Sequence, residues 1–153
     1  MQFRTRLTSL ARLGLIVMLL VACSGARERS GYEGFEKYVD SFVETAHFRG
    51  YVVDTRRLQI HYVLSLPGSE VGVCGMESGH IDVLHWYFFL LDDIKKEQLI
   101  WHEMGHCVMG RGHITDLNAD GKPISIMYPS SEVVWDEQYY VTHKNDYIKE
   151  MWP

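Results

Sequence analysis

Apolar residues fall into two distinct periods along this chain. From Glu33 to Phe48, the positions Phe35, Tyr38, Val39, Phe42, Val43 and Ala46 recur three and four residues apart. Glu36, Lys37, Asp40 and Glu44 lie between them. That spacing predicts a helix with one stripe against a core and its charges in water. Arg49-Gly50 ends it. From Leu58 to Leu66 the period drops to two. Leu58, Ile60, Tyr62, Leu64 and Leu66 alternate with Gln59, His61 and Ser65, which predicts a half-buried strand with His61 exposed. Pro67-Gly68 turns the chain, and Val71 to Cys74 reads as a second short strand. Ile81 to Phe89 starts as a strand. Its end, Trp86 to Leu91, also suits a helix, and periodicity does not decide between them. The lone histidines His80 and His85 read as structural.

Asp92 or Asp93 caps the next helix, which runs to about Met109. It sets Leu99, His102 and His106 on one side and Ile100, Met104 and Val108 toward the core. Gly110 stops it as a left-handed residue. Ser130 to Tyr140 has no period and reads as an irregular wall. Thr142 caps a last helix to Met151 that packs Tyr147, Ile148 and Met151.

The chain's 153 residues suffice for one domain, with 46% hydrophobic and 23% charged residues, the balance of an ordinary globular protein. The first 23 residues stand apart. Arg4, Arg6 and Arg12 precede the apolar run Leu13 to Ala22, which is too short to span a bilayer comfortably and reads as a signal segment. Leu20-Val21-Ala22-Cys23 resembles the lipobox of bacterial lipoproteins, which implies that Cys23 is lipidated and becomes the mature N-terminus. Ser24 then implies the outer membrane of the cell envelope. The alternative is an ordinary secretory signal with an incidental cysteine. Residues 24–32 are small and polar and read as a tether to a domain spanning 33–153.

Without residues 1–23, 12 basic face 20 acidic residues, a net charge of −8. That balance argues against nucleic acid and against a polybasic membrane patch. The lipid would supply the membrane attachment. Cys74 and Cys107 remain, an even number in an oxidising compartment. A disulfide between them would pin the segment before the long helix to the helix itself. The alternative is two buried free thiols.

The chemistry concentrates in His102-Glu103-Met104-Gly105-His106. Helical positions i and i+4 share a face, so His102 and His106 can hold one ion. Imidazole pairs suit zinc, which takes about four ligands in a tetrahedron. Glu103 lies about 100° around the helix, beside the ion, where a general base for a zinc-activated water belongs.

Together with Gly110, His113 and Ser125-Ile126-Met127-Tyr128-Pro129, this stretch resembles the metzincin clan of zinc peptidases over roughly residues 95–130. The resemblance implies an α+β, zincin-like minimal catalytic domain with a small mixed sheet, an active-site helix, a methionine turn at Met127 and a C-terminal helix. It implies zinc on His102, His106 and His113, with Glu103 as catalytic base in the hydrolysis of a peptide or protein substrate. It also assigns the region after the methionine turn to the specificity pocket. The spacing departs from the clan by one residue, because Gly110 and His113 each come one position late. A helix one residue longer would keep the Gly-x-x-His unit intact. Asp116 is the rival third ligand. Tyr128 follows the methionine directly, so the clan's tyrosine ligand is not carried over. Asp116 to Gly121 begins like a calcium loop, but Met127 occupies the position of the final glutamate, and a polar turn at Asp120-Gly121 is the preferred reading. Two further classes stay open: a non-catalytic lipoprotein with a structural zinc site, and an envelope-assembly lipoprotein in which the motif is chance.

Overall fold

The computed structural model describes residues 31–129 and 136–153. The signal segment, Cys23, most of the tether and Ser130 to Trp135 of the expected wall lie outside the described residues. Helix α1 spans Glu36–Phe48, strand β1 Gln59–Val63, β2 Gly72–Gly75 and β3 His80–Leu84. Helix α2 spans His85–Leu90, α3 Asp93–Cys107 and α4 Glu137–Met151. The fold is α+β, with a small mixed sheet and four helices among the described residues. No described helix is long and apolar enough to cross a membrane.

The sheet order is β1-β3-β2. β1 runs parallel to β3, pairing Ile60 with Ile81 and Val63 with Leu84. β2 returns antiparallel on the other side, pairing Cys74 with Ile81. Gly31, expected in the tether, already belongs to the domain: its carbonyl accepts from the Ile60 amide at 2.8 Å. The strand expected to reach Leu66 stops at Val63. Beyond that residue the chain leaves the sheet, so Leu64, expected inside, stands 88% exposed.

The stripe on α1 is buried at Phe35, Val39, Phe42 and Ala46. It meets Trp101 of α3, whose ring lies edge-on to Phe42 at 5.5 Å. Trp152 completes this cluster, 4.9 Å from Phe42 and 5.8 Å from Trp101. The Arg49 guanidinium donates to the Trp152 carbonyl at 2.9 and 3.2 Å, which fastens the chain after α4 to the end of α1.

The ambiguous run 81–91 divides: strand to Leu84, helix from His85. Asp92 caps α3, its carboxylate accepting from the Lys95 amide at 2.9 Å. The last helix begins earlier than expected. Asp136 caps it through the Tyr139 amide at 3.1 Å. Thr142 lies inside, its hydroxyl donating to the Gln138 carbonyl one turn back at 2.8 Å. Residues 137–140 of the expected wall are therefore helical.

Cys74 and Cys107 are disulfide-bonded, with Cα atoms 5.5 Å apart. The bond ties β2 to the last residue of α3. Closing a loop of this length stabilises a fold by about 3–4 kcal/mol in the chain-entropy account.

Candidate metal centre

α3 carries His102 and His106 one turn apart on the face that looks into a cleft of about 620 Å³. Its opposite face, Ile100 and Met104, is fully buried. The helix must then end sharply so that the chain can return to these rings. Gly110 adopts φ +66°, a conformation that side chains disfavour. Its amide bonds back to the His106 carbonyl at 3.0 Å, and the Arg111 amide to the Gly105 carbonyl at 2.9 Å. The turn brings His113 round to the helix. Its ring lies 5.3 Å from that of His102 and 4.7 Å from that of His106.

One ligand atom from each of the three histidines falls within 4.8 Å of the others. Among the described residues this is the one group of three or more such side chains. Asp116, the rival ligand, is not in it. That aspartate is exposed in the following turn, where its carbonyl accepts from the Ile124 amide. Asp116 and Asp120 belong to no group of three or more such side chains among the described residues. Asn118 organises that turn instead, its side-chain oxygen accepting from the amides of Asp120 at 2.9 Å and Lys122 at 3.0 Å.

The protonation pattern of the rings follows from their partners. His102 Nδ1 lies 2.7 Å from the Ile126 carbonyl, and His106 Nδ1 lies 2.6 Å from the Arg111 carbonyl. A carbonyl can only accept, so each Nδ1 carries the proton and each neutral ring presents a lone pair at Nε2. Those two Nε2 atoms face each other at 3.1 Å. Two lone pairs at that distance repel unless a cation or a proton sits with them. Burial drives the His102 pKa down to about 4, and the neighbouring histidines push the same way against the Ile126 bond. A proton on His102 is therefore disfavoured near neutrality. A tetrahedral zinc with Zn–N of about 2.0–2.1 Å separates its nitrogens by roughly 3.3 Å. The His102–His106 spacing is close to that separation, and the three-histidine cluster could hold a metal ion. His113 is also shifted downward, mainly by desolvation.

Comparison with known proteins found no match: no family model, curated protein or solved structure is similar to this chain.

Glu103 is 5% exposed and lines the same cleft. Burial raises its pKa to about 8, the charge of Glu70 adds to this, and the Cys74 amide opposes it by donating to the carboxylate. β2 can come this close because Gly72 lacks a side chain. A β-carbon there would lie 2.9 Å from Glu103 Oε1. Tyr128 and Leu99 also line the cleft.

Met127 is fully buried against α3 at Gly105. Ser125 shapes its turn, the hydroxyl accepting from the Met127 amide at 3.0 Å. The Met127 carbonyl accepts from the Ile114 amide at 3.0 Å, which links this turn to the loop that carries His113. Sequence reasoning missed the two carbonyls that orient His102 and His106, because main-chain acceptors leave no residue-type signal. It also missed Glu150 on α4. That carboxylate accepts from the Ser125 hydroxyl at 2.5 Å and pairs with the Arg111 guanidinium. Arg111 further donates to the carbonyls of Glu150 at 3.1 Å and Met151 at 3.0 Å. One carboxylate therefore clamps both loops whose carbonyls hold the histidines.

Proposed function

We propose that this domain is a zinc-dependent peptidase of metzincin-like build, held at the cell envelope by a lipid on Cys23. The observation that carries the reading is the convergence of three imidazoles, two of them with free lone pairs facing at 3.1 Å, beside a buried carboxylate in an open cleft. The order of parts supports it: metal helix, glycine stop, third histidine, methionine turn, closing helix. A structural zinc site is usually closed by four protein ligands. Among the described residues the group has three.

When bound, zinc would supply Lewis acidity, lowering the pKa of a water toward neutrality and polarising a peptide carbonyl. His102, His106 and His113 would hold it. Glu103 then acts as base and acid in turn. Its carboxylate takes the proton of the attacking water and delivers it to the departing amine. Burial suits it to both tasks, since a carboxyl titrating near pH 8 in the metal-free protein holds a proton more readily than an exposed one. The Ile126 and Arg111 carbonyls keep the ring tautomers fixed through turnover. The substrate class is an extended peptide or protein segment laid in the cleft.

The test is Glu103→Gln assayed beside the parent protein for zinc content and for cleavage of a mixed peptide pool. The variant should bind one zinc and lose about 10²–10⁴-fold in turnover. A chelator should abolish the parent's activity and added zinc restore it. Undiminished cleavage by Glu103→Gln, or a parent protein that takes up no stoichiometric zinc, would sink the proposal.

A further inference from the structure

Outside the cleft, five large exposed apolar side chains among the described residues, Tyr62, Leu64, Trp86, Phe89 and Leu90, fall where β1 ends and α2 begins. On α2, Trp86, Phe89 and Leu90 are 56%, 61% and 76% exposed, whereas Phe88 turns into the core. The i, i+3, i+4 spacing sets the three on one face. Tyr62 on β1 continues the surface, its ring 5.7 Å from Phe89 and 5.3 Å from His85. Leu64 follows just beyond the Val63–Leu84 pair. Soluble surfaces rarely cluster aromatic and aliphatic side chains in this way without a partner.

The position of the tether indicates which partner. Gly31 is fastened to Ile60 on the same edge strand. Tyr62 lies two residues further along β1, about 7 Å. Cys23 is eight residues before Gly31, a reach of at most ~28 Å even if fully extended. A lipid on Cys23 would therefore keep Gly31, on this edge of the sheet, within ~28 Å of the bilayer. The net charge of −8 on the chain after Cys23 gives no overall electrostatic attraction to anionic headgroups, which favours an apolar second contact.

We propose that Tyr62, Leu64, Trp86, Phe89 and Leu90 form a membrane-docking surface that enters the headgroup layer beside the lipid anchor. Tryptophan, tyrosine and their aliphatic neighbours are the side chains that favour that layer. The inference rests on the lipidation of Cys23 in the reading above. It also fixes the working orientation. Tyr87 and Leu91, flanking the docking face of α2, line the cleft. The cleft then opens beside the membrane, toward the juxtamembrane segments of envelope proteins.

The full-length lipidated protein can be reconstituted into phosphatidylcholine vesicles brominated on the acyl chains. The Trp86 signal is isolated as the difference from a Trp86→Phe variant. It should lose roughly half or more of its intensity relative to unbrominated vesicles. A Phe89→Glu/Leu90→Glu variant should remain on the vesicles through its lipid and lose that quenching. Protein that floats with the vesicles while Trp86 is untouched by bromine would overturn the docking surface alone. Protein that does not float would overturn the lipid anchor and the docking surface together. A dimer on the vesicles that shields Trp86 from bromine would assign the face to a second copy instead.

Discussion

Met127 Sδ occupies the space that a side chain at Gly105 would need. The glycine within the His-Glu-x-x-His stretch and the methionine that follows 22 positions later are two halves of one packing contact. Gly105→Ala should favour the isolated helix by about 1 kcal/mol. In the folded protein the added methyl must displace a fully buried sulfur, an overpacking that costs about 1–3 kcal/mol or more. We expect net destabilisation in urea unfolding, with weaker zinc binding as the Ile126 carbonyl moves with its neighbour. Adding Met127→Ala to Gly105→Ala should recover part of the loss. Strictly additive effects in this double-mutant cycle would show that the two residues are not coupled.

Glu150 touches no histidine, yet it holds both loops that do. Glu150→Ala should weaken zinc binding by about 10–100-fold, the range for loss of partners that orient metal ligands. A competition titration against a chelator reads this directly. Unchanged affinity would reduce Glu150 to a helix residue with a surface ion pair.

The metal-free protein should lose stability as pH rises from 6.5 to 8. Glu103 titrates near 8 when folded and near its ordinary 4.5 when unfolded. Its contribution is present in full below the unfolded value and vanishes as pH climbs through the folded one. The slope is at most about 1.4 kcal/mol per pH unit. His102, lowered to about 4, acts in the opposite sense but only below its unfolded value of 6.5. The window from 6.5 to 8 therefore isolates the carboxylate. Urea unfolding of chelator-treated protein at the two ends should show the difference. Glu103→Gln should flatten it, and a parent protein equally stable at both ends would contradict the burial argument.

Replacing Cys74 and Cys107 by alanine should lower stability by about 3–4 kcal/mol, from the 33-residue separation that the bond closes. The loss should also loosen β2 against Glu103, because the Cys74 amide donates to that carboxylate. Thermal unfolding with and without reductant checks the first effect. A parent protein indifferent to reductant would contradict it.

Several of these relationships were legible in the residues alone. The α1 stripe was readable because it follows the 3.6-residue period over three turns, and tertiary packing agreed with it. The histidine pair was readable because i, i+4 geometry is fixed by the helix. The reach of His113 was inferred from Gly110, whose left-handed backbone turns the chain back. Leu64 breaks the alternation because a period of two cannot say where a strand leaves its sheet. Thr142 suits a cap by residue type, yet it lies inside the helix. Asp136 suits the role equally and stands nearer the real start, and only the hydrogen bond to Tyr139 separates them. Trp152 gave no periodic signal, since it lies beyond the last helix and enters the core through its contact with Phe42. Glu150 carries no residue-type signal of its role, which its contacts with Ser125 and Arg111 define.

The alignment of His102 and His106 rests on oxygens that every amino acid possesses. Replacing Ile126 alters what fills the core there but leaves its carbonyl in being, and the same holds at position 111. A side-chain scan would therefore pass over the groups that aim the rings and record only the residues that hold their loops in place. Such a centre can tolerate wide drift in its surroundings while its geometry persists, provided the chain keeps the same course past Ile126 and Arg111.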